Sequence, residues 1–67
     1  MSIIETENAL ANAFRVKVQA VRPKAELTTN GWQFWVKDED KILGCSHRAA
    51  DAWAKAVNYM DSNGEFL

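Results

Sequence analysis

The residues best equipped for chemistry in this chain are Cys45 and His47, its only cysteine and only histidine, two positions apart. On a strand, positions two apart share a face, so a thiol–imidazole contact is open to them. Nucleophilic catalysis also needs a third group to orient the base and a pocket for substrate, and a chain of 67 residues seldom builds one. Cys-x-His is too sparse for structural zinc, which takes four ligands. Asp38-Glu39-Asp40 has the charge of a calcium loop but lacks its glycine and its distal bidentate glutamate. The three glycines, at 31, 44 and 64, are isolated, so no phosphate-cradling loop is encoded. The expectation is a protein that is not an enzyme, with no cofactor and no metal. Cys45 is then an ordinary buried thiol and the acidic run a solvated turn.

Binding is better supplied. Arg15, Lys17, Arg22 and Lys24 fall within ten residues with no acid among them. On a helix Arg15 and Arg22, seven apart, share a face, and Arg48 and Lys55 could extend the positive surface. Such a cluster suits phosphate or an acidic protein surface, and equally the solvated face of an amphipathic helix. The second candidate is aromatic. Strand alternation sends Trp32, Phe34 and Val36 to one face and Gln33, Trp35 and Lys37 to the other. The first set reads as core. Trp35 stands between polar neighbours on the face away from the helices, where it is either a binding hot spot or a shield for a cross-strand neighbour such as Leu43.

Composition bounds the setting. A net charge of −1 argues against a strongly electrostatic nucleic-acid binder. One cysteine excludes an intramolecular disulfide framework and points to a reducing cytosol. The opening Met-Ser-Ile-Ile-Glu-Thr-Glu has neither the basic nor the apolar region of a signal peptide. No apolar run approaches the ~20 residues of a membrane span. Residues 1–67 read as a single small domain, which buries so little surface that its large rings are needed inside.

The elements that must position these residues follow from periodicity. Ile3, Leu10, Phe14, Val18 and Val21 form one helical stripe, so a helix is expected from about residue 3 to about residue 21. The alternative is a short helix to Ala13 and a strand from Phe14. Ser2 and Glu5 have the spacing of a capping box, and Pro23 ends either version. Glu26 to Thr29 reads as a strand, Asn30-Gly31 as a type I′ turn, and Trp32 to Lys37 as the second strand. After the polar turn, Ile42 to Cys45 returns as the third. Ser46 is the expected N-cap of a last helix with Ala49, Ala50, Trp53, Ala56, Val57 and Met60 on its apolar side. That helix stops near Asn63-Gly64, leaving Glu65-Phe66-Leu67 as a loose tail. The fold class is α+β: a two-layer domain with an N-terminal helix, a three-stranded antiparallel meander and a C-terminal helix.

Helix, three strands, helix is also the element order of double-stranded RNA-binding domains. The stretch Gly44-Cys45-Ser46-His47-Arg48-Ala49-Ala50-Asp51-Ala52-Trp53-Ala54 resembles the start of that family's second helix, where a serine precedes basic residues and spaced alanines. The resemblance implies phosphate contact by Arg48, and by His47 when protonated. Asp51 departs from it with a negative charge where a third lysine is expected, and the strand loop is much shorter than the family's. The chain also resembles, in shortness, Trp-rich hairpin and Ala-rich helix, small accessory proteins of phages and mobile elements, which act stoichiometrically on a host protein.

The leading expectation is a small cytoplasmic module that binds another protein, with a homodimer as a natural component. The binding surface would be the open sheet face around Trp35 or the basic edge of Arg15, Arg22 and Lys24. Nucleic-acid binding through Arg15, Lys17, Arg22, Lys24 and Arg48 is the alternative, and a purely structural homodimer the third.

Overall fold

A computed structural model describes the backbone of residues 3–67 and the side chains from residue 8 onward. It contains α1 (Ile3–Val21), β1 (Glu26–Thr29), β2 (Phe34–Asp38), β3 (Lys41–Ser46) and α2 (Ala49–Ser62). This is the α-β-β-β-α order expected, with both strand pairs antiparallel and the sheet ordered β1-β2-β3. The stretch from Phe14 is helical, and the proposed cap of Ser2 and Glu5 lies outside the described residues.

The helix ends where proline makes it end. The Arg22 N–H still reaches the Val18 carbonyl at 2.8 Å, but Pro23 disfavours helix before it, and the Ala25 N–H turns back to Arg22. The Gln19 amide donates to the Ala25 carbonyl at 2.7 Å and holds that turn against the helix. Ala25 is thereby buried at the start of β1.

The core joins Val18 of α1, Val36 and Leu43 of the sheet, and Ala52, Trp53, Ala56 and Met60 of α2. α1 packs chiefly on α2, and α2 in turn on β3 and β2. Gly44 governs the second contact. A Cβ built there would lie 2.6 Å from the Ala52 carbonyl oxygen and 2.7 Å from the Ala56 nitrogen. The α2 backbone therefore rests on β3 with no side chain between them. Ala52 and Ala56, both fully buried, keep their own side of that contact small. The spaced alanines thus have a packing reason to be there.

A register shift in the β2–β3 pairing decides between two neighbours. Val36 pairs with Gly44 and Lys37 with Ile42, so Leu43 is the extra residue on β3. Leu43 is buried and Ile42 is 53% exposed. The two residues of such a bulge face one partner on the opposite strand, so strict alternation fails at that point.

Two expectations need correction here. Ser46 closes β3, and the N-cap position of α2 is Arg48, with extended backbone and no side-chain cap bond. The C-terminal residues are not a loose tail. Gly64 has φ +72°, its N–H reaches the Asp61 carbonyl, and the Glu65 N–H reaches that of Met60. That pair of bonds is the Schellman stop of a helix. Phe66 then packs against the core.

Candidate functional site: the hairpin tip and the open sheet face

The structure places Trp32 far from the core. It is 83% exposed, while Phe34 packs against the core cluster and Val36 is fully buried. The sequence reading of Trp32 as a core residue is therefore wrong, and the reason is local. The Asn30 side-chain oxygen accepts from the backbone N–H of both Trp32 and Gln33, each at 2.9 Å. This Asx turn competes with the ladder and holds Trp32 out of it. Only Gly31, at φ +93°, takes a positive φ in this loop, so the turn is not the type I′ expected of Asn30-Gly31. β2 accordingly starts at Phe34.

The tip is fastened on every side. The Thr29 hydroxyl donates to the Gln33 carbonyl at 2.9 Å and accepts from the Gly31 N–H at 3.0 Å. The Asn30 N–H also donates to the Gln33 carbonyl. From across the sheet, His47 Nδ1 sits 3.2 Å from the Trp32 carbonyl oxygen. A carbonyl only accepts, so the contact is a hydrogen bond in the tautomer that protonates Nδ1. His47 thus turns Nδ1 to the hairpin tip, not to Cys45. The result is a large apolar ring on an ordered loop, with its backbone already committed before any partner arrives.

The sheet face away from the helices continues from this tip. Trp35 lies there, paired across to Thr28 of β1 and Cys45 of β3, with Glu26, Lys37 and Ile42 on the next rung. Trp35 and Cys45 are half-buried by their neighbours, Thr28 is exposed, and Ile42 is exposed. Cys45 is therefore not a core thiol. No element of the described residues covers this face.

The basic residues do not gather into one surface. Arg15 is exposed on α1, where Asn12 Oδ1 at 2.9 Å and Gln19 Oε1 at 3.4 Å accept from it. Lys17 Nζ stands 4.7 Å from the centre of the Phe66 ring. Arg22 is fastened inside a triad, donating to Asp38 at 2.8 Å and to both Glu65 oxygens at 2.8 and 3.0 Å. These bonds raise its pKa well above the ordinary value, and the same Arg22 bond holds the Glu65 carboxyl below its own. Asp38 is thus a structural partner, not solvated turn. Lys24 pairs with Glu39 at 3.1 Å in full view of solvent. Arg22 and Lys24 sit at the end of the sheet marked by Asp38 and Lys41, whereas Arg48 follows the opposite end, beyond Ser46.

A concave cleft of about 490 Å³ lies at the charged end, lined by Val21, Arg22, Pro23, Lys24, Asp38, Glu39 and Lys41. Its ionic groups are largely paired with one another. Among the described residues no group of three or more His, Cys, Asp or Glu side chains could hold a metal ion, and no helix is long and apolar enough to cross a membrane. No protein-family model, no curated protein and no solved structure matches this chain.

Proposed function

We propose that this protein is a small non-enzymatic module that captures another protein with the β1–β2 hairpin tip and the open sheet face beside it. Trp32 is the anchor and Trp35 the flanking ring. The observation that carries the reading is a tryptophan 83% exposed on a loop fixed by side-chain and backbone hydrogen bonds. An exposed Trp is unfavourable in water, and Trp is among the residues that most often dominate binding energy. A rigid loop also spares the partner the cost of ordering it.

The basic edge is the weaker candidate, because Arg22 is neutralised by two carboxylates and Lys24 by Glu39. A stoichiometric accessory role in the cytoplasm fits a module with one binding face, and self-association remains a component of the reading. Nucleic acid keeps one supporting observation: His47 Nδ1 lies 3.2 Å from the Trp32 carbonyl oxygen, and Arg48 follows His47 at the N-cap of α2. That alternative requires affinity that falls steeply with salt, since phosphate contacts release counterions. The test is capture from host lysate by the intact protein and by Trp32→Ala. Retention of the same proteins by both would end the assignment, and loss of a specific band with unchanged circular dichroism supports it.

A further inference from the structure

β1 is an edge strand, and its outer side is open over a short, bounded length. The Asn30 N–H donates to the Gln33 carbonyl at 3.3 Å, so position 30 turns its N–H toward the strand that follows. Backbone groups alternate in direction along an antiparallel pair, so positions 26 and 28 also face β2, and positions 25, 27 and 29 face outward. The fold meets the outward groups at 25 itself. The Ala25 N–H reaches the Arg22 carbonyl at 3.0 Å, and the Gln19 amide reaches the Ala25 carbonyl at 2.7 Å. Past the other end, the Gly31 N–H is taken by the Thr29 hydroxyl at 3.0 Å. Between these stops, the outward N–H and C=O of Leu27 and Thr29 have no bond among the described residues. Edges are commonly guarded by Lys, Pro or a bulge, and residues 26–29 have none of these.

Two donor–acceptor pairs at this repeat call for an extended backbone beside them. Length and register indicate whose. A second copy offers an open edge of the same two residues, bounded in the same way. Laid antiparallel with Thr28 on a two-fold axis, it sets Leu27 against Thr29 of the second copy, and Thr29 against its Leu27. Each opposed pair exchanges both of its hydrogen bonds, so every free group on both edges is met. An axis at Leu27 or at Thr29 satisfies a single pair only. The next residue then required is Ala25 or Gly31, whose N–H is already engaged. Charge agrees with the Thr28 axis. Glu26, the one charge on β1, comes opposite Asn30 of the second copy and not opposite another Glu26. Thr28 meets Thr28, a favourable cross-strand pair.

We propose that the outer edge of β1 pairs antiparallel with β1 of a second copy about a two-fold axis at Thr28, joining two three-stranded sheets into one of six strands. The pairing gives a surface to the self-association in the reading above and does not rest on Trp32. Thr28 is the β1 neighbour of Trp35, so the two open faces become continuous across the seam. Contact over so few residues falls well short of the ~800 Å² per partner of a standard interface, so the dimer dissociates in the upper micromolar range or above.

A chain of 67 residues is within reach of chemical synthesis by ligation at Cys45, which allows single backbone N–H groups to be methylated. N-methylation of Leu27 deletes an outward donor and keeps the side chain. Sedimentation equilibrium from micromolar to millimolar is expected to show a reversible monomer–dimer equilibrium for the parent. The N-methyl-Leu27 chain loses two bonds per dimer, so its dissociation constant is expected to rise at least ~10-fold, with unchanged near-ultraviolet circular dichroism. N-methylation of Thr28, whose N–H faces β2, is expected instead to lower the urea midpoint. Register is read separately in an expressed Cys45→Ala background. Thr28→Cys is expected to oxidise to a disulfide-linked dimer, because the opposed positions form a non-hydrogen-bonded pair with Cα atoms ~4.5 Å apart. Glu26→Cys is not, since the two copies of that position stand four residues apart along the ladder. A chain monomeric at millimolar concentration, a dimer as tight with N-methyl-Leu27 as without it, or Glu26→Cys crosslinking as readily as Thr28→Cys each overturns the proposal. The first of these outcomes leaves the edge to a strand of another protein or to water. Trp32→Ala is expected to keep the dimer, so failure of pairing and failure of partner capture are read apart.

Discussion

Replacing Gly44 by alanine puts a methyl group where two main-chain atoms of α2 already stand. The new carbon would lie 2.6 Å from the Ala52 oxygen and 2.7 Å from the Ala56 nitrogen, inside any tolerated contact. Neither neighbour is the free end of a side chain, so the helix itself must slide by some tenths of an ångström. That slide strains the seats of Trp53, Ala56 and Met60 in the core. Overpacking of this kind costs ~1–3 kcal/mol. Opposing it, Gly→Ala narrows the unfolded ensemble and contributes ~0.4–1 kcal/mol of stability when the native backbone tolerates it. Gly44 has no positive φ, so that gain does apply here. The clash is the larger effect, and a net loss of ~1–2 kcal/mol is expected. With a urea slope near 1 kcal/mol per molar, the midpoint falls by ~1–2 M. Gly44→Val is expected to lose more. A Gly44→Ala protein as stable as the parent, or more so, would show that α2 does not rest on β3 as described.

Glu39 holds φ +56°, the only positive value at a non-glycine among the described residues. That conformation costs an L-residue ~1–2 kcal/mol, so Glu39→Gly should raise the urea midpoint by ~0.5–1 kcal/mol equivalent, although it deletes the exposed pair with Lys24. The Arg22 clasp has a pH signature. Glu65 is held below its ordinary pKa by Arg22, so its contribution is complete above the unfolded carboxyl's range and fades as pH falls through the lower folded value. The stability gap between the parent and Glu65→Gln should therefore close in acid, as denaturation at a series of pH values would reveal. A gap that persists there contradicts the assignment. Trp32→Ala should leave the urea midpoint within ~0.5 kcal/mol equivalent, because the ring touches so little of its own fold.

Periodicity made the backbone plan legible, and local chemistry hid the site. The helix from residue 3 to 21 follows from Leu10, Phe14 and Val18, and its end from Pro23. Trp32 has the parity of Phe34 and Val36, so alternation assigned it to the core. The signal against this was Thr29-Asn30 ahead of Gly31, since both side chains can bind the turn's own backbone and take two residues out of the ladder. The choice of Leu43 over Ile42 depends on a bulge, which no local pattern announces. Arg22 looked like a surface cation because its partners, Asp38 and Glu65, are 16 and 43 residues away. The C-terminal clasp was half visible, in the Asn63-Gly64 stop, but Phe66 was not, because what it meets, Lys17 and the core cluster, lies far from it in sequence.

The central claim is that the fixed hairpin tip exists to present Trp32 to a partner protein. Its most direct measurement is quantitative capture from the native host by the intact protein, Trp32→Ala and Trp35→Ala, read by mass spectrometry at low and high salt. The account predicts a specific protein retained by the parent at both salt concentrations, lost with Trp32→Ala and weakened with Trp35→Ala, all three chains being equally folded. Equal retention by the parent and Trp32→Ala would contradict it, as would recovery of nucleic acid alone that high salt removes.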